Sequence, residues 1–201
     1  MRIQQILIRI LDILGAIVGL IGAVLPVSMI AILVKKDGGP IFFKQERIGK
    51  NEKSFMMWKI RSMVTNAEEI RERLLEQSDV DGMFKMKDDP RVTKIGAFIR
   101  KHSLDELPQF WNVLKGDMSL VGPRPALREE FEIYSERAKM RLDVKPGITG
   151  LWQVSGRSNV NFETMIDLDL EYIANRSLWG DIIILFKTVL LMFPSSKNGA
   201  Y

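Results

Sequence analysis

The chain has 201 residues, with 29 Lys and Arg against 25 Asp and Glu, a formal net charge of +4. A composition 46% hydrophobic and 27% charged, with 15 Gly and 8 Pro, excludes a disordered or collagen-like chain and is long enough to bury a core. The absence of cysteine excludes disulfides, iron–sulfur clusters and thiol chemistry, and the single histidine argues against a His-based triad or multi-histidine metal site. Acid–base or metal chemistry therefore falls to Asp, Glu, Lys and Arg.

Residues 1–34 carry only Arg2, Arg9 and Asp12 as charges, and Ile13–Val34 carries none. As a helix, that uncharged run rises about 33 Å, close to the roughly 30 Å hydrocarbon core of a bilayer. A single spanning anchor is the ordinary reading. Two features favour a helix that enters and leaves one leaflet. Pro26 lies inside the run, where it breaks or bends a helix. Positive charge flanks both ends, Arg2 and Arg9 before and Lys35 and Lys36 after, which places both ends on the cytoplasmic side. Gly15, Gly19 and Gly22 offer a smooth packing face, or reflect membrane composition alone.

Gly38, Gly39 and Pro40 mark a turn, Ile41–Phe43 a short strand, and Gly49 a second turn. In Ser54–Val64, Lys59 and Arg61 would share a face if the segment is extended. The pattern predicts a solvent-facing helix over Asn66–Gln77, a turn at Asp88–Pro90, and helices over Val92–Lys101, Ser103–Leu114, Arg128–Met140, Phe162–Asn175 and Asp181–Phe193. A short strand is predicted at Leu151–Val154, and 121–127, with two prolines around Arg124, reads as irregular. Trp58, Trp111, Trp152 and Trp179 read as core or membrane-interface residues.

Ser103-Leu104-Asp105-Glu106 supports two readings. Ser at the N-cap with Glu three residues on is a capping box. Capping is the ordinary reading of the segment by itself; the functional one is that adjacent carboxylates at a helix start form a nucleophile and a metal- or proton-handling partner. Arg100, Lys101 and His102 precede them. Pro123-Arg124-Pro125 fixes a guanidinium as a phosphate contact requires, or as an internal salt bridge would use it. Gln153, Arg157 and Asn159 lie beside a rigid turn, Asp169 could pair with an arginine, and Asp181 suits a helix start.

RKHSLDELPQFWNVLKGDMSLVGPRPAL and KPGITGLWQVSGR, together with GGPIFFKQERIGKN, FMMWKIRSM and DDPRVTKIGAFIRK, closely resemble the bacterial monotopic phosphoglycosyl transferases, or polyprenyl-phosphate sugar-phosphate transferases. The similarity covers nearly the whole chain and implies the small single-domain form. It implies an α+β, mostly helical fold: a cytoplasmic catalytic domain (37–201) on a membrane-embedded, re-entrant helix (1–36) broken near Pro26. It implies transfer of a sugar 1-phosphate from a UDP-sugar to undecaprenyl phosphate at the cytoplasmic face of the bacterial inner membrane, with release of UMP and with Mg²⁺ as cofactor. Asp105 matches the nucleophile that forms a phosphosugar intermediate in a ping-pong reaction. Glu106 matches its partner at the metal, and Arg100 the basic residue before the pair. Pro123, Arg124 and Pro125 match the nucleotide- and phosphate-contacting loop, and Lys59, Arg157, Asp169 and Asp181 fall in matching motifs. The resemblance implies the bilayer and downstream glycosyltransferases as partners and no nucleic acid. Leu25 precedes Pro26 where relatives often have Ser, which keeps a spanning helix open. Helix 181–193 is either interfacial or core. A nucleotide-sugar hydrolase and a non-catalytic membrane scaffold are the alternatives.

Overall fold

A computed structural model describes residues 2–74, 89–156 and 161–192. Arg157, Asn159, Asp88, Phe193 and the end of the expected helix at 75–77 lie outside the described residues. The chain opens with one long helix, α1 (Arg2–Val34), followed by a hairpin of β1 (Phe42–Ile48) and β2 (Ser54–Ile60). Short elements follow: α2 (Ala67–Leu74), α3 (Lys94–Lys101), α4 (Gln109–Lys115), β3 (Ser119–Val121), α5 (Arg128–Glu132), α6 (Glu136–Lys139), β4 (Gly147–Thr149) and α7 (Leu151–Ser155). Two longer helices, α8 (Phe162–Ala174) and α9 (Leu178–Met192), close the described chain. The architecture is mostly helical with two two-stranded sheets, one antiparallel (β1–β2) and one parallel (β3–β4).

Helical structure in α1 continues through Pro26, so the expected break is absent. A helical proline removes one donor and crowds the carbonyl four residues back. That residue is Gly22, and nothing packs over it. One stripe of α1 is buried, at Ile8, Asp12, Ala16, Ala23, Ile30 and Val34, with the three-and-four spacing of a single helix face. It lies against α4, β3, α9 and α3. Two of the three glycines serve this packing: a Cβ on Gly15 would sit 2.5 Å from Leu120, and one on Gly19 would sit 2.7 Å from the Phe110 ring. The opposite side of α1 exposes Ile6, Val18, Ile21, Leu25, Met29 and Ile32. By length and composition α1 could cross a membrane.

Besides the Ser103–Leu114 helix, which is a 3-10 turn followed by α4, three elements differ from expectation. Leu151–Val154 is helical, and the strand is Gly147–Thr149 just before it, paired to β3. The glycines decide this: a Cβ on Gly147 would meet the Gly122 nitrogen at 2.1 Å, so the backbones of β4 and the 122–125 loop touch directly. The helix expected over Arg128–Met140 is two short helices and a 3-10 turn, because Ser135 stops one and caps the next by accepting from Ala138 N–H at 3.2 Å. The strand expected at Ile41–Phe43 is longer, since the turn lies at Gly49–Lys53 and pairs Ile48 with Ser54.

Three apolar clusters hold the body. The central one joins Ala16 of α1 to Met57, Val113, Leu120, Tyr172 and Ile184. A second lies under α5, α6 and α8, around Ile48, Tyr134 and Ile166. The third, Ile30, Val34, Ile60 and Ile99 with Leu104 packed on it, supports the turn that carries Asp105.

Candidate active site

Asp105 and Glu106 lie in a 3-10 turn, Leu104–Glu106, between α3 and α4. The capping box does not form. Ser103 takes a left-handed backbone (φ 55°, ψ 24°), and its hydroxyl caps nothing. An N-cap serine needs extended geometry, and Pro108, not Ser103, leads into α4. The Glu106 and Leu107 N–H groups instead donate to the carbonyls of Ser103 and Leu104, at 3.3 and 3.4 Å. A non-glycine residue at positive φ costs on the order of 1 kcal/mol, and such strain gathers at functional turns. The helix-start electrostatics expected for the pair do not apply, so the local field comes from side chains.

Lys59 supplies most of it. The Lys59 Nζ sits 3.4 Å from Glu106 Oε1 and 4.0 Å from Asp105 Oδ2. Asp105 is buried while the Glu106 side chain is 38% exposed, so one carboxylate is sheltered and the other faces solvent. Burial pushes the Asp105 carboxyl above its ordinary range; Lys59 draws it back, Glu106 raises it again and the exposed Arg100 lowers it. Asn112, fully buried on α4, fixes this arrangement. Its carbonyl accepts from Trp58 N–H at 3.0 Å and its amide donates to Met56 O at 2.8 Å, which locks α4 along the edge of β2 next to Lys59. Arg61 does not join Lys59 at the pair: its guanidinium donates to the carbonyls of Pro40, Met63 and Val34 and pins the end of α1.

The Pro123–Pro125 loop leaves β3 and is held by its backbone: Gly147 N–H donates to Pro123 O, and Gly122 N–H to Thr149 O, both at 2.9 Å. Both prolines are buried, which leaves the half-buried Arg124 as the group presented. Arg124 Nη1 donates to Glu130 Oε2 at 3.0 Å, and the same carboxylate accepts from Leu127 N–H at 2.8 Å. Burial alone would raise Glu130, but Arg124, the Leu127 amide and Arg47 hold it below its ordinary range.

Arg47, which no sequence motif marks, reaches the loop and feels the charge of Glu106. It is 7% exposed, donates from Nη1 to Pro125 O at 3.1 Å and from Nη2 to Gln45 Oε1 at 2.8 Å, and leaves Nε without a partner. Burial draws its guanidinium down to about 9; Arg124 lowers it too, while Glu130 and Glu106 oppose. The hairpin register sets Arg47 opposite Phe55 and Lys59 opposite Phe43. With side chains alternating along each strand, Arg47 and Lys59 share one face. One sheet face thus reaches both the carboxylate pair and the loop. The signal lay in the turn length, which fixes the register.

The other expected site residues lie elsewhere. Asp169 is fully buried, with Oδ2 accepting from Arg141 Nε at 2.8 Å and Nη2 at 2.7 Å; burial pushes it up to about 6. Arg141 also donates to Tyr134 Oη and to Arg124 O, so the pair braces the loop from behind. Asp181 is buried at the start of α9, accepts from Tyr172 Oη at 2.8 Å and is pushed by burial up to about 6.

Among the described residues, no group of three or more Asp, Glu or His side chains gathers as a metal cage. Asp105 and Glu106 still offer two adjacent carboxylates. A hard cation such as Mg²⁺ binds through one or two carboxylates and completes its shell with water and substrate phosphate, so this donor set fits.

A family model described as bacterial sugar transferase matches residues 3–195. A galactosyl transferase, CpsE, from Streptococcus agalactiae is 52% identical over 94% of this chain and 43% of its own. An undecaprenyl-phosphate galactose phosphotransferase from Salmonella typhimurium is 45% identical over 100% of this chain and 43% of its own. The exopolysaccharide production protein ExoY from Sinorhizobium fredii is 42% identical over 90% of this chain and 83% of its own. The chain thus spans under half the length of the first two and most of the third. The match runs through α1, the hairpin, the carboxylate turn and the Arg124 loop alike, and the chain belongs to the bacterial sugar transferase family.

Proposed function

We propose that the chain transfers a sugar 1-phosphate from a UDP-sugar to undecaprenyl phosphate and releases UMP, as a membrane step of bacterial polysaccharide synthesis. The observation that carries this is the sheltered carboxylate of Asp105 beside an exposed Glu106 and the Lys59 ammonium, in a domain one face of whose long helix is bare and apolar. The names of the relatives supply the galactose and the undecaprenyl phosphate.

In the first half of the reaction an Asp105 carboxylate oxygen attacks the β-phosphorus of the donor. The Oδ–P bond forms, the bond from that phosphorus to the bridging oxygen breaks, and UMP leaves with the electron pair. In the second half an oxygen of undecaprenyl phosphate attacks the same phosphorus, and the Oδ–P bond breaks to restore Asp105. Anionic nucleophiles approach a diphosphate only when its charge is offset. Lys59 and Arg100 supply positive charge at the pair, Arg124 supplies it from its loop, and Arg47, which feels the Glu106 charge, holds that loop at Pro125. Mg²⁺ held by Asp105 and Glu106 would neutralise phosphate charge. Water competes as acceptor, so a hydrolase is the failure mode of this site, and the depth of Asp105 opposes it.

Both ends of α1 bind the same body. Gln4 Nε2 donates to Arg176 O at 2.7 Å, and Val34 O accepts from Arg61 at 3.0 Å. A perpendicular span would carry one end away from a domain confined to one side of the bilayer. A helix seated in one leaflet, with the domain cytoplasmic and the apolar residues Trp179, Phe186 and Leu190 of α9 also at the lipid surface, agrees with this.

The test is to incubate the protein with UDP-galactose and a panel of other UDP-sugars, without lipid acceptor, and to weigh the quenched protein. A phosphosugar adduct on the peptide containing Asp105, lost in Asp105→Asn and discharged by undecaprenyl phosphate, is expected. Turnover without an adduct would overturn the covalent route. Because the chain has no cysteine, single cysteines at Gln5 and Lys36 test the topology. Both should label only from the cytoplasmic side, and labelling from opposite sides would reject the one-leaflet path.

A further inference from the structure

Arg9 and Asp12 interrupt the apolar helix α1, and the activity proposed above uses neither. A charged side chain facing lipid costs several kcal/mol. Both instead face the domain. Arg9 forks across the end of α4: Nη1 donates to Val113 O at 2.7 Å and Nη2 to Leu114 O at 2.9 Å. Those carbonyls belong to the last turn of α4, where Gly116 N–H already donates to Val113 O at 3.0 Å and a cation offsets the negative end of the helix. Asp12 is 4% exposed and meets the start of β3. It accepts from Ser119 Oγ at 2.8 and 2.9 Å and from Leu120 N–H at 2.8 Å. Each element leads to one part of the active site. The Asp105–Glu106 turn precedes α4, and the Arg124 loop follows β3.

We infer that Arg9 and Asp12 are positioning residues that set the register of the membrane helix on the catalytic body, and with it the height of Asp105 and Arg124 above the lipid. The inference rests on the proposed transferase reading. Neither residue touches the carboxylate pair. The internal geometry of that pair is held by Asn112 and Lys59 within the domain. Loosening the clasp should therefore spare reaction with the soluble donor and impair capture of an acceptor whose phosphate is fixed at the bilayer surface. Arg9, with both Nη groups on α4, is a docking group in addition to any role as a flanking charge.

Asp12→Ala and the milder Arg9→Lys, which keeps the charge but cannot fork across two carbonyls, test this in reconstituted bilayers. Exchange of labelled UMP into UDP-sugar without acceptor should stay within about twofold of wild type. KM for undecaprenyl phosphate should rise about tenfold in Asp12→Ala and about threefold in Arg9→Lys. KM for a short-chain, water-soluble polyprenyl phosphate should stay unchanged in both. Equal loss in exchange and transfer, or an unchanged KM for the long-chain acceptor, overturns the inference. If Asp12→Ala loses its cooperative melting transition, Arg9→Lys decides. If wild type shows no exchange, the covalent route fails instead, and the ratio of long-chain to short-chain KM in overall transfer still reads the clasp.

Discussion

Two aspartates in this molecule carry the same kind of surroundings and opposite consequences. Asp105 and Asp169 are both buried, both stand beside a cation, and both are pushed up by that burial. Asp169 is sealed: two guanidinium nitrogens of Arg141 close on one oxygen at 2.7–2.8 Å, and nothing of the residue is exposed. Asp105 has its ammonium partner at 4.0 Å, an exposed carboxylate next to it and a strained turn beneath it. A carboxylate whose partner already sits at hydrogen-bond distance serves the fold. Asp169 Oδ1 has no partner either, so a spare lone pair does not separate the two; the difference is access, because Asp105 stands beside the exposed Glu106 carboxylate, where the proposed donor could approach it.

Conservative substitutions should separate the two sharply. Asp105→Asn should lower transfer by about a thousandfold or more, because the amide is a far weaker nucleophile. It should leave the melting temperature level or slightly raised, since an ionised group in a buried place is removed. Asp169→Asn should do the reverse. It strands the Arg141 guanidinium in the interior, a change worth about 3–5 kcal/mol, read as a drop in the denaturant midpoint. The double variant Asp169→Leu with Arg141→Met should recover much of that loss. If Asp169→Asn melts like wild type yet fails to transfer, the division between sealed and open carboxylates is wrong.

The same division shows where the sequence was readable. Asp105, Glu106 and Arg124 stand in short contiguous motifs and could be picked out by residue type alone. Their geometry could not be. A capping box at Ser103 satisfies every sequence rule and is undone by one left-handed residue and the proline that follows. Arg47, Asn112 and Glu130 are illegible in the sequence for a different reason. Arg47 reaches Pro125 across 78 residues and Asn112 reaches Trp58 across 54, and no local periodicity carries such pairings. Arg9 and Asp12 were visible as charges, but only the packed structure shows that both face inward. The mostly helical character and the ends of α8 were legible, because apolar periodicity and the Asn161 cap, which accepts from Thr164 N–H at 2.8 Å, are local. The strand misread at Leu151–Val154 failed where backbone contact between glycines, not side-chain pattern, sets the pairing.

Asp181 extends the sealed class and predicts a pH dependence. Burial pushes its folded-state pKa up to about 6, against roughly 3.9 for aspartate in an unfolded chain. Between those values the folded protein holds a proton that the unfolded chain has released, so stability falls as pH rises from about 4 to about 6. The contribution is on the order of 3 kcal/mol. Asp169 has the same sign over the same window and Asp105 is raised too, while Glu130 and Asp89 are held down and act in the opposite sense, so the wild-type slope sums all of them. Asp181→Asn, which can still accept from Tyr172 Oη, should flatten only its share in urea titrations at pH 4, 5 and 6. An unchanged slope would mean that Asp181 holds no extra proton in the folded protein over this range.

Glu130 lies between the classes and tests the comparison most finely. It is sealed, 4% exposed, but its partner Arg124 is only half-buried. Glu130→Gln keeps the shape, and the amide oxygen can still accept from Leu127 N–H. The charge that orients Arg124 is lost, a difference between charged and neutral hydrogen bonding of about 1–1.5 kcal/mol. If Arg124 contacts the donor's phosphates before and during transfer, as proposed, the loss should appear as a roughly tenfold rise in KM for the UDP-sugar with kcat little changed. A purely structural role would instead lower the melting temperature and leave KM in place. A fall in kcat at constant KM would mean that Arg124 stabilises charge only in the transition state, and would move Glu130 from the sealed carboxylates to the catalytic ones.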